Sequence, residues 1–216
     1  MTEVLVGERL ACRRGERWVF SGVDFAVEPG CALLLHGANG SGKSSLLRLL
    51  ATLLDPADGQ LLWDGAPVSD DPAVNRARLH YVGHLDGIKP ALTVRETLRF
   101  WAGLRGVAAP SLDAALTAFA LDGIADWPCR WLSAGQRRRL ALARLVATEA
   151  SLWLLDEPTA MLDSDSENRL VAAIEAHRAA GGRVVIATHQ SLALADTAVL
   201  RLEDFTIAAS ESIVEF

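Results

Sequence analysis

Residues 32–50 read ALLLHGANGSGKSSLLRLL: a short apolar run, a glycine-rich loop, then apolar residues at helical spacing. The loop fits G-x-x-x-x-G-K-[ST] from Gly37 to Ser44. Glycines let such a loop wrap so closely that backbone N–H groups face a phosphate, a lysine adds a point charge over the β and γ oxygens, and the last hydroxyl reaches a Mg²⁺. Gly37, Ala38, Asn39, Gly40, Ser41, Gly42, Lys43, Ser44 and Ser45 are therefore the expected contacts of a nucleotide's phosphates. The pattern needs a strand before it and a helix after it. Ala32 to His36 supplies the first and Lys43 to Leu53 the second, which makes the chain a P-loop protein of α/β class.

Working outward, short apolar runs bounded by turn residues alternate with longer helical segments, the pattern of a largely parallel sheet. Further strands are expected at Gln60 to Trp63, Leu79 to Val82, Leu152 to Asp156, Val184 to Thr188 and Val199 to Leu202. Further helices are expected at Thr93 to Gly103, Leu112 to Leu121, Gly135 to Ala147, Ser164 to Ala180 and Ser191 to Asp196. Three of these begin with capping-box spacing: Thr93 with Glu96, Ser133 with Gln136, and Ser164 with Glu167. Residues 85–131 show helix and connecting Gly and Pro but no strand, so a helical subdomain is expected to be inserted into one domain spanning 1–216.

Bulk properties narrow the partners. The chain has 216 residues, a formal net charge of −6 and half hydrophobic residues, enough for a sizeable core but without a basic field to gather nucleic acid. No apolar stretch approaches the roughly 18 residues of a membrane span, and MTEVLVGERLACRRGER has no uninterrupted apolar region. A soluble cytoplasmic protein follows as the expectation. Cys12, Cys31 and Cys129 form no CxxC pair, and are expected to be reduced thiols used mostly in packing.

Two further strand ends carry chemistry. SLWLLDE ends in Asp156 and Glu157, where one carboxylate can hold a Mg²⁺ shell while the next, pointing elsewhere, deprotonates a water. RVVIATH ends in His189, within reach of a γ-phosphate. The stretch LSAGQRRRLALAR adds a helix start capped by Ser133, followed by Ala134, Gly135 and Gln136, and such a start is an anion site through its free N–H groups and dipole. Two phosphate-binding starts in one chain imply a second copy that shares its nucleotides in an isologous dimer. Arg137 to Arg139 look like the solvated face of an amphipathic helix rather than a nucleic-acid patch.

In this order the motifs resemble those of ATP-binding subunits of ABC transporters across essentially the whole chain. GANGSGKS resembles Walker A, LSAGQ the signature, LWLLDE Walker B, AMLD at Ala160 to Asp163 the D-loop, and His189 the switch histidine. The resemblance implies an ABC-type fold with a mostly parallel sheet core, an antiparallel β part and a helical subdomain gripping integral membrane transporter subunits. It also implies ATP and Mg²⁺ as ligands, Ser44 and Asp156 at the metal, Glu157 as general base, Asp163 of the D-loop among the nucleotide-binding residues, and a place on the cytoplasmic face of the bacterial inner membrane. GHLDGIKPALTVRETLRFWAGL is similar to the ATP-binding subunits of bacterial cytochrome c maturation systems, which are described as haem exporters. A soluble ABC ATPase of iron–sulfur assembly or repair type is the alternative, although no coiled coil is present and the signature ends in Gln136. A P-loop kinase would leave LSAGQ unexplained.

Three positions depart from the family pattern. His84 stands where the Q-loop glutamine is usual, and an imidazole nitrogen suits Mg²⁺ less well than an amide oxygen, so His84 is expected to relay nucleotide state through water. Arg14 stands near the position of the aromatic that usually stacks on adenine, leaving Trp18 or a guanidinium stack from Arg14 as substitutes, and Ala160 replaces a common serine. On the helix from Thr93, Leu98, Phe100, Trp101 and Leu104 form an apolar group that fits either a partner surface or a local core.

Overall fold

The structure is a computed structural model describing residues 4–106, 112–190 and 192–206. Two sheets form it. The first is antiparallel in the order β2-β1-β4-β5, from β1 (Leu5–Arg14), β2 (Arg17–Val27), β4 (Asp58–Trp63) and β5 (Ala66–Pro67). The second is parallel throughout in the order β6-β7-β8-β3-β9, from β3 (Ala32–His36), β6 (Leu79–Val82), β7 (Leu152–Asp156), β8 (Arg183–Ala187) and β9 (Thr197–Arg201). The helices are α1 (Lys43–Leu50), α2 (Pro72–Ala77), α3 (Val94–Leu104), α4 (Leu112–Ala118), α5 (Ala134–Ala147) and α6 (Ser164–Ala179).

A parallel sheet is covered on both faces at its centre, so β7 and β8 are buried at every residue, whereas the edge strand β9 is mostly exposed. Alternation then divides β3, β6, β7 and β8 between two cores. Leu34, Val82, Trp153, Leu155, Val184 and Ile186 face α3 to α6, while Leu33, Leu35, Leu152, Leu154 and Val185 face α1 and the antiparallel sheet. The six expected strands all form, within two residues of their expected bounds.

Several expectations need correction. Strands β1 and β2 escaped the sequence reading because bulges between Gly7 and Arg13 break the period of two, with Arg9 at φ 47° and its N–H held by Asp24. Helix α2 escaped it as well, though Asp71 before Pro72 is a cap signal, and its carboxylate accepts from the Ala73 and Val74 N–H groups. Helix α1 stops at Leu50, where Thr52 turns left-handed at φ 52°. The cap of α6 is Asp163 rather than Ser164, its carboxylate accepting from Ser166 N–H at 2.9 Å. No helix forms over 192–196, and Ser191 lies outside the described residues. There Leu192 and Leu194 pack on the core while Arg178 takes the carbonyls of Ala195 and Asp196, so alternation replaces the helical period. Cys12 and Cys129 are buried, but Cys31 is exposed.

Strand β6 is an edge of the parallel sheet. Because the Arg78 carbonyl accepts from Ser151 and Leu152 on the β7 side, the carbonyls of 79, 81 and 83 face away from the sheet. Three guanidinium groups take them: Arg105 of the α3 terminus binds Leu79, Arg144 of α5 binds Tyr81, and Arg138 of α5 binds Gly83. Burial draws the Arg144 guanidinium down to about 10, with nearby Arg138 adding to the effect.

Between them, on the inner side of β6, His80 is 7% exposed and its Nε2 contacts the Thr148 carbonyl at 3.1 Å and hydroxyl at 3.0 Å. Burial first, then the Arg105 charge, pushes this imidazole down to about 3. The folded state therefore binds fewer protons than the unfolded chain between pH 6.5 and 3, and stability falls as pH drops through that window. By pH 5 the loss from His80 amounts to about 2 kcal/mol. Urea unfolding at pH 7 and pH 5 measures it, and His80→Gln is expected to remove that increment; an unchanged pH dependence in the variant refutes the assignment.

Candidate nucleotide site

The site forms where β3 and β7 release their chains at the carboxyl edge of the parallel sheet. Gly42 caps α1 at φ 104°, and a Cβ there would lie 2.7 Å from Val19 and 2.8 Å from Phe20, so the turn into the helix admits only glycine. Lys43 is buried with its ammonium donating back to the carbonyls of Gly37 at 2.6 Å and Ala38 at 3.2 Å. The Ala38 N–H donates to the Glu203 carboxylate at 2.8 Å, which ties the loop to the turn after β9. Ser41 is buried with its hydroxyl unpaired.

From β7, the buried Asp156 carboxylate accepts from the Ser44 hydroxyl at 3.1 Å, joining the end of β7 to the start of α1 across 112 residues. Glu157, the next residue, is left-handed at φ 46°, a conformation that costs a non-glycine residue about 1–3 kcal/mol and persists only where its surroundings hold it. Its N–H donates to Ala187 at 2.8 Å, and its carbonyl accepts from Arg138 at 2.7 Å and from Ala160 N–H at 3.2 Å. The twist sends its carboxylate away from Asp156 to His189, whose Nδ1 lies 3.0 Å from Oε2.

Asn39, Gly40, Gly42, Lys43, Ser44, Ser45, His84, Asp156, Glu157 and His189 line one cavity of about 420 Å³, together with Val19. Sequence reasoning missed Val19; neither Arg14 nor Trp18 is on that lining, and Trp18 lies under the Arg13 guanidinium at 5.9 Å. An ammonium, a hydroxyl and a carboxylate in one cavity with a carboxylate–imidazole pair can bind a polyphosphate and accept a proton from a water beside it.

Ser133, Ala134, Gly135 and Gln136 lie outside this cavity. Ser133 and Gln136 form the expected capping box, Ser133 Oγ accepting from Gln136 N–H at 3.2 Å and Gln136 Oε1 from Ser133 N–H at 2.8 Å. Gly135 is in close contact with the D-loop, since a Cβ on it would stand 2.9 Å from the Met161 carbonyl. This second anion-type start is exposed at Ser133 and Ala134, as are Met161 and Asp163 beside it. One expectation fails on the same helix: Arg138 is not solvated but 4% exposed.

The family model described as ABC transporter matches residues 20–160. The chain belongs to the ABC transporter family. It is 56% identical to the Cytochrome c biogenesis ATP-binding export protein CcmA of Rhodospirillum rubrum, over 94% of this chain and 87% of that one. To the protein of the same name from Cupriavidus necator it is 49% identical, over 93% and 88%. Its fold matches a putative ABC transporter ATP-binding protein of Pyrococcus furiosus with a TM-score of 0.84 at 23% identity, covering 94% of this chain and all of that one. The ABC domain is thus an ATPase whose parallel and antiparallel sheets are those of its family.

Proposed function

We propose that the chain is the ATP-hydrolysing subunit of a membrane ABC transporter for cytochrome c biogenesis, in haem export or handling. The convergence of Lys43, Ser44, Asp156, Glu157 and His189 on one cavity carries the chemistry, and the CcmA relatives carry the pathway. Lys43 and the P-loop amides bind the β and γ phosphates of ATP. Ser44 and Asp156 present hard oxygen donors in mutual contact, which fit a Mg²⁺, and the ion when bound neutralises developing phosphate charge. Glu157 takes the proton of the attacking water, and His189, already paired with that carboxylate, reads the γ-phosphate. Ser133 and Gly135 close on the nucleotide of a second copy, with Asp163 at the shared boundary. Ser133 keeps its hydroxyl proton for that phosphate, because within its own chain Oγ acts as acceptor.

His84 lines the cavity beside Glu157 and Asp156, a place that supports a water-mediated relay. His84→Gln is expected to keep most of the ATPase activity, while His84→Ala reduces stimulation by the membrane subunits more than ATP affinity. Equal stimulation in wild type and both variants would remove His84 from the reading.

No helix of the described residues is long and apolar enough to cross a membrane, so contact with the inner membrane runs through integral subunits, on its cytoplasmic face. We take residues 85–131 as the helical subdomain that meets them. Within the apolar group on α3, Leu98 is buried and Trp101 packs on the core beneath Arg144, but Phe100 and Leu104 stay exposed, Leu104 at 71%, and Leu85 at 85%. Leu104→Glu and Leu85→Glu are expected to abolish co-purification of the membrane subunits with ATP affinity unchanged. Co-purification of the intact complex and its haem spectrum with and without ATP test the whole reading; a spectrum indifferent to ATP, or a complex without membrane subunits, sinks it.

A further inference from the structure

Helix α5 carries a cation in the middle of the site's framework. Arg138 is 4% exposed, and each of its five N–H groups has an acceptor. Nη2 donates to the carbonyls of Asp156 at 2.8 Å and Glu157 at 2.7 Å, and Nε to that of Pro158 at 3.2 Å. Nη1 donates to the carbonyl of Gly83 at 2.9 Å and to Asp86 Oδ1 at 3.2 Å. One guanidinium therefore binds three consecutive residues at the end of β7 and both flanks of His84, and does so from the helix that begins at Ser133.

We infer that Arg138 is a positioning residue for hydrolysis: it holds the Glu157 backbone in its left-handed turn and fixes it to the His84 segment, so that residues 83–86, residues 156–158 and the signature helix move together. The inference rests on the reading of Glu157 as general base. Its physical basis is the Glu157 turn. A side chain at φ 46° points where it does only while both of its peptide groups are held, and Arg138 supplies the side-chain bond to the carbonyl. Released, that peptide relaxes toward negative φ and carries the carboxylate off the line to the water. The P-loop contacts with phosphate do not depend on this bond. Chemistry should therefore suffer and binding should not. The two flanks matter for the same reason: a displacement of residues 83–86, which lead into α3, reaches the Glu157 carbonyl through a single side chain.

Lysine has three donors on a rotating ammonium and cannot reproduce a planar fork with five partners. Arg138→Lys in the full chain is expected to slow single-turnover hydrolysis at saturating ATP by roughly 10- to 100-fold, the usual cost of a misplaced group, with the Kd for ATP within about threefold of wild type on the same basis. In a Glu157→Gln background, where no base remains to be positioned, the same substitution should slow hydrolysis no further. Asp86→Ala, which removes the one partner near the surface, is expected to slow turnover severalfold with the Kd for ATP unchanged, and it decides the matter if Arg138→Lys does not fold. Rates near wild type in Arg138→Lys or, failing that protein, in Asp86→Ala overturn the inference. So does a rise in Kd that matches the fall in rate, which marks a merely structural staple, or a slowing that multiplies with that of Glu157→Gln. If instead Glu157→Gln itself hydrolyses at the wild-type rate, the base assignment fails and takes the inference with it, a pattern distinct from the others.

Discussion

Glu157→Gln is expected to bind ATP as wild type does and to hydrolyse it roughly 10² to 10⁴ times more slowly, the usual contribution of a general base. The substitution is nearly isosteric, so the left-handed turn at 157 and its backbone bonds to Ala187, Arg138 and Ala160 remain. The amide still fills the space beside His189 Nδ1, 3.0 Å from the present carboxylate oxygen. What is lost is the capacity to accept a proton. Because ATP then stays unhydrolysed between two copies, gel filtration with ATP should show a lasting dimer. Single-turnover hydrolysis within about threefold of wild type would assign the proton to another group.

The second large effect separates the two halves of the nucleotide site. Lys43→Ala removes the buried ammonium that now donates to Gly37 and Ala38 and would turn to phosphate. Two charge-assisted hydrogen bonds at about 1.5–3 kcal/mol each place the loss of affinity at 10² or more. Gly135→Val instead leaves the cavity intact but drives a side chain into the Met161 carbonyl, displacing the D-loop and closing the start of α5 to a neighbour's phosphate. It should bind ATP and hydrolyse it at less than roughly a hundredth of the wild-type rate, the scale set by loss of preorganised phosphate donors. Mixed in equal amounts, the two inactive proteins form a pair with one intact site, P-loop from one and signature from the other. Activity should return, to at most roughly a quarter of wild type if copies pair at random around a two-fold axis. No recovery in the mixture would mean that the signature serves its own chain.

What the sequence disclosed follows from which residues interact locally. Strand ends and P-loop were legible because their chemistry lies within a few residues: an apolar run, then the glycines, lysine and carboxylates that a phosphate site requires. The capping boxes at Thr93 and Ser133 formed as read, since the reciprocal bonds span three residues. Bonds across the chain were not legible. The resemblance alone put Ser44 and Asp156 at one metal, and nothing between residues 32 and 50 announces that Ala38 will donate to Glu203 165 residues on. The middle arginine of RRR looked solvated because charge on an amphipathic helix usually is; its five acceptors come from two other segments that only the fold assembles. Residues 192–196 show the reverse case, where a fair helical composition yields to Arg178 and to two leucines sought by the core.

The three arginines along β6 have a consequence for how copies of this chain tolerate crowding. An open border of a parallel sheet is a template on which a neighbour's strand can grow, and proteins that gather in pairs expose that template to one another at high local concentration. Here the acceptors of the β6 border, the carbonyls of Leu79, Tyr81 and Gly83, are already spent on guanidinium donors of the same molecule. Copies that pair around shared nucleotides, as proposed, would reach these carbonyls through this side only by first stripping out internal cations. On its acceptor side the border is thus blocked against aggregation without any added strand.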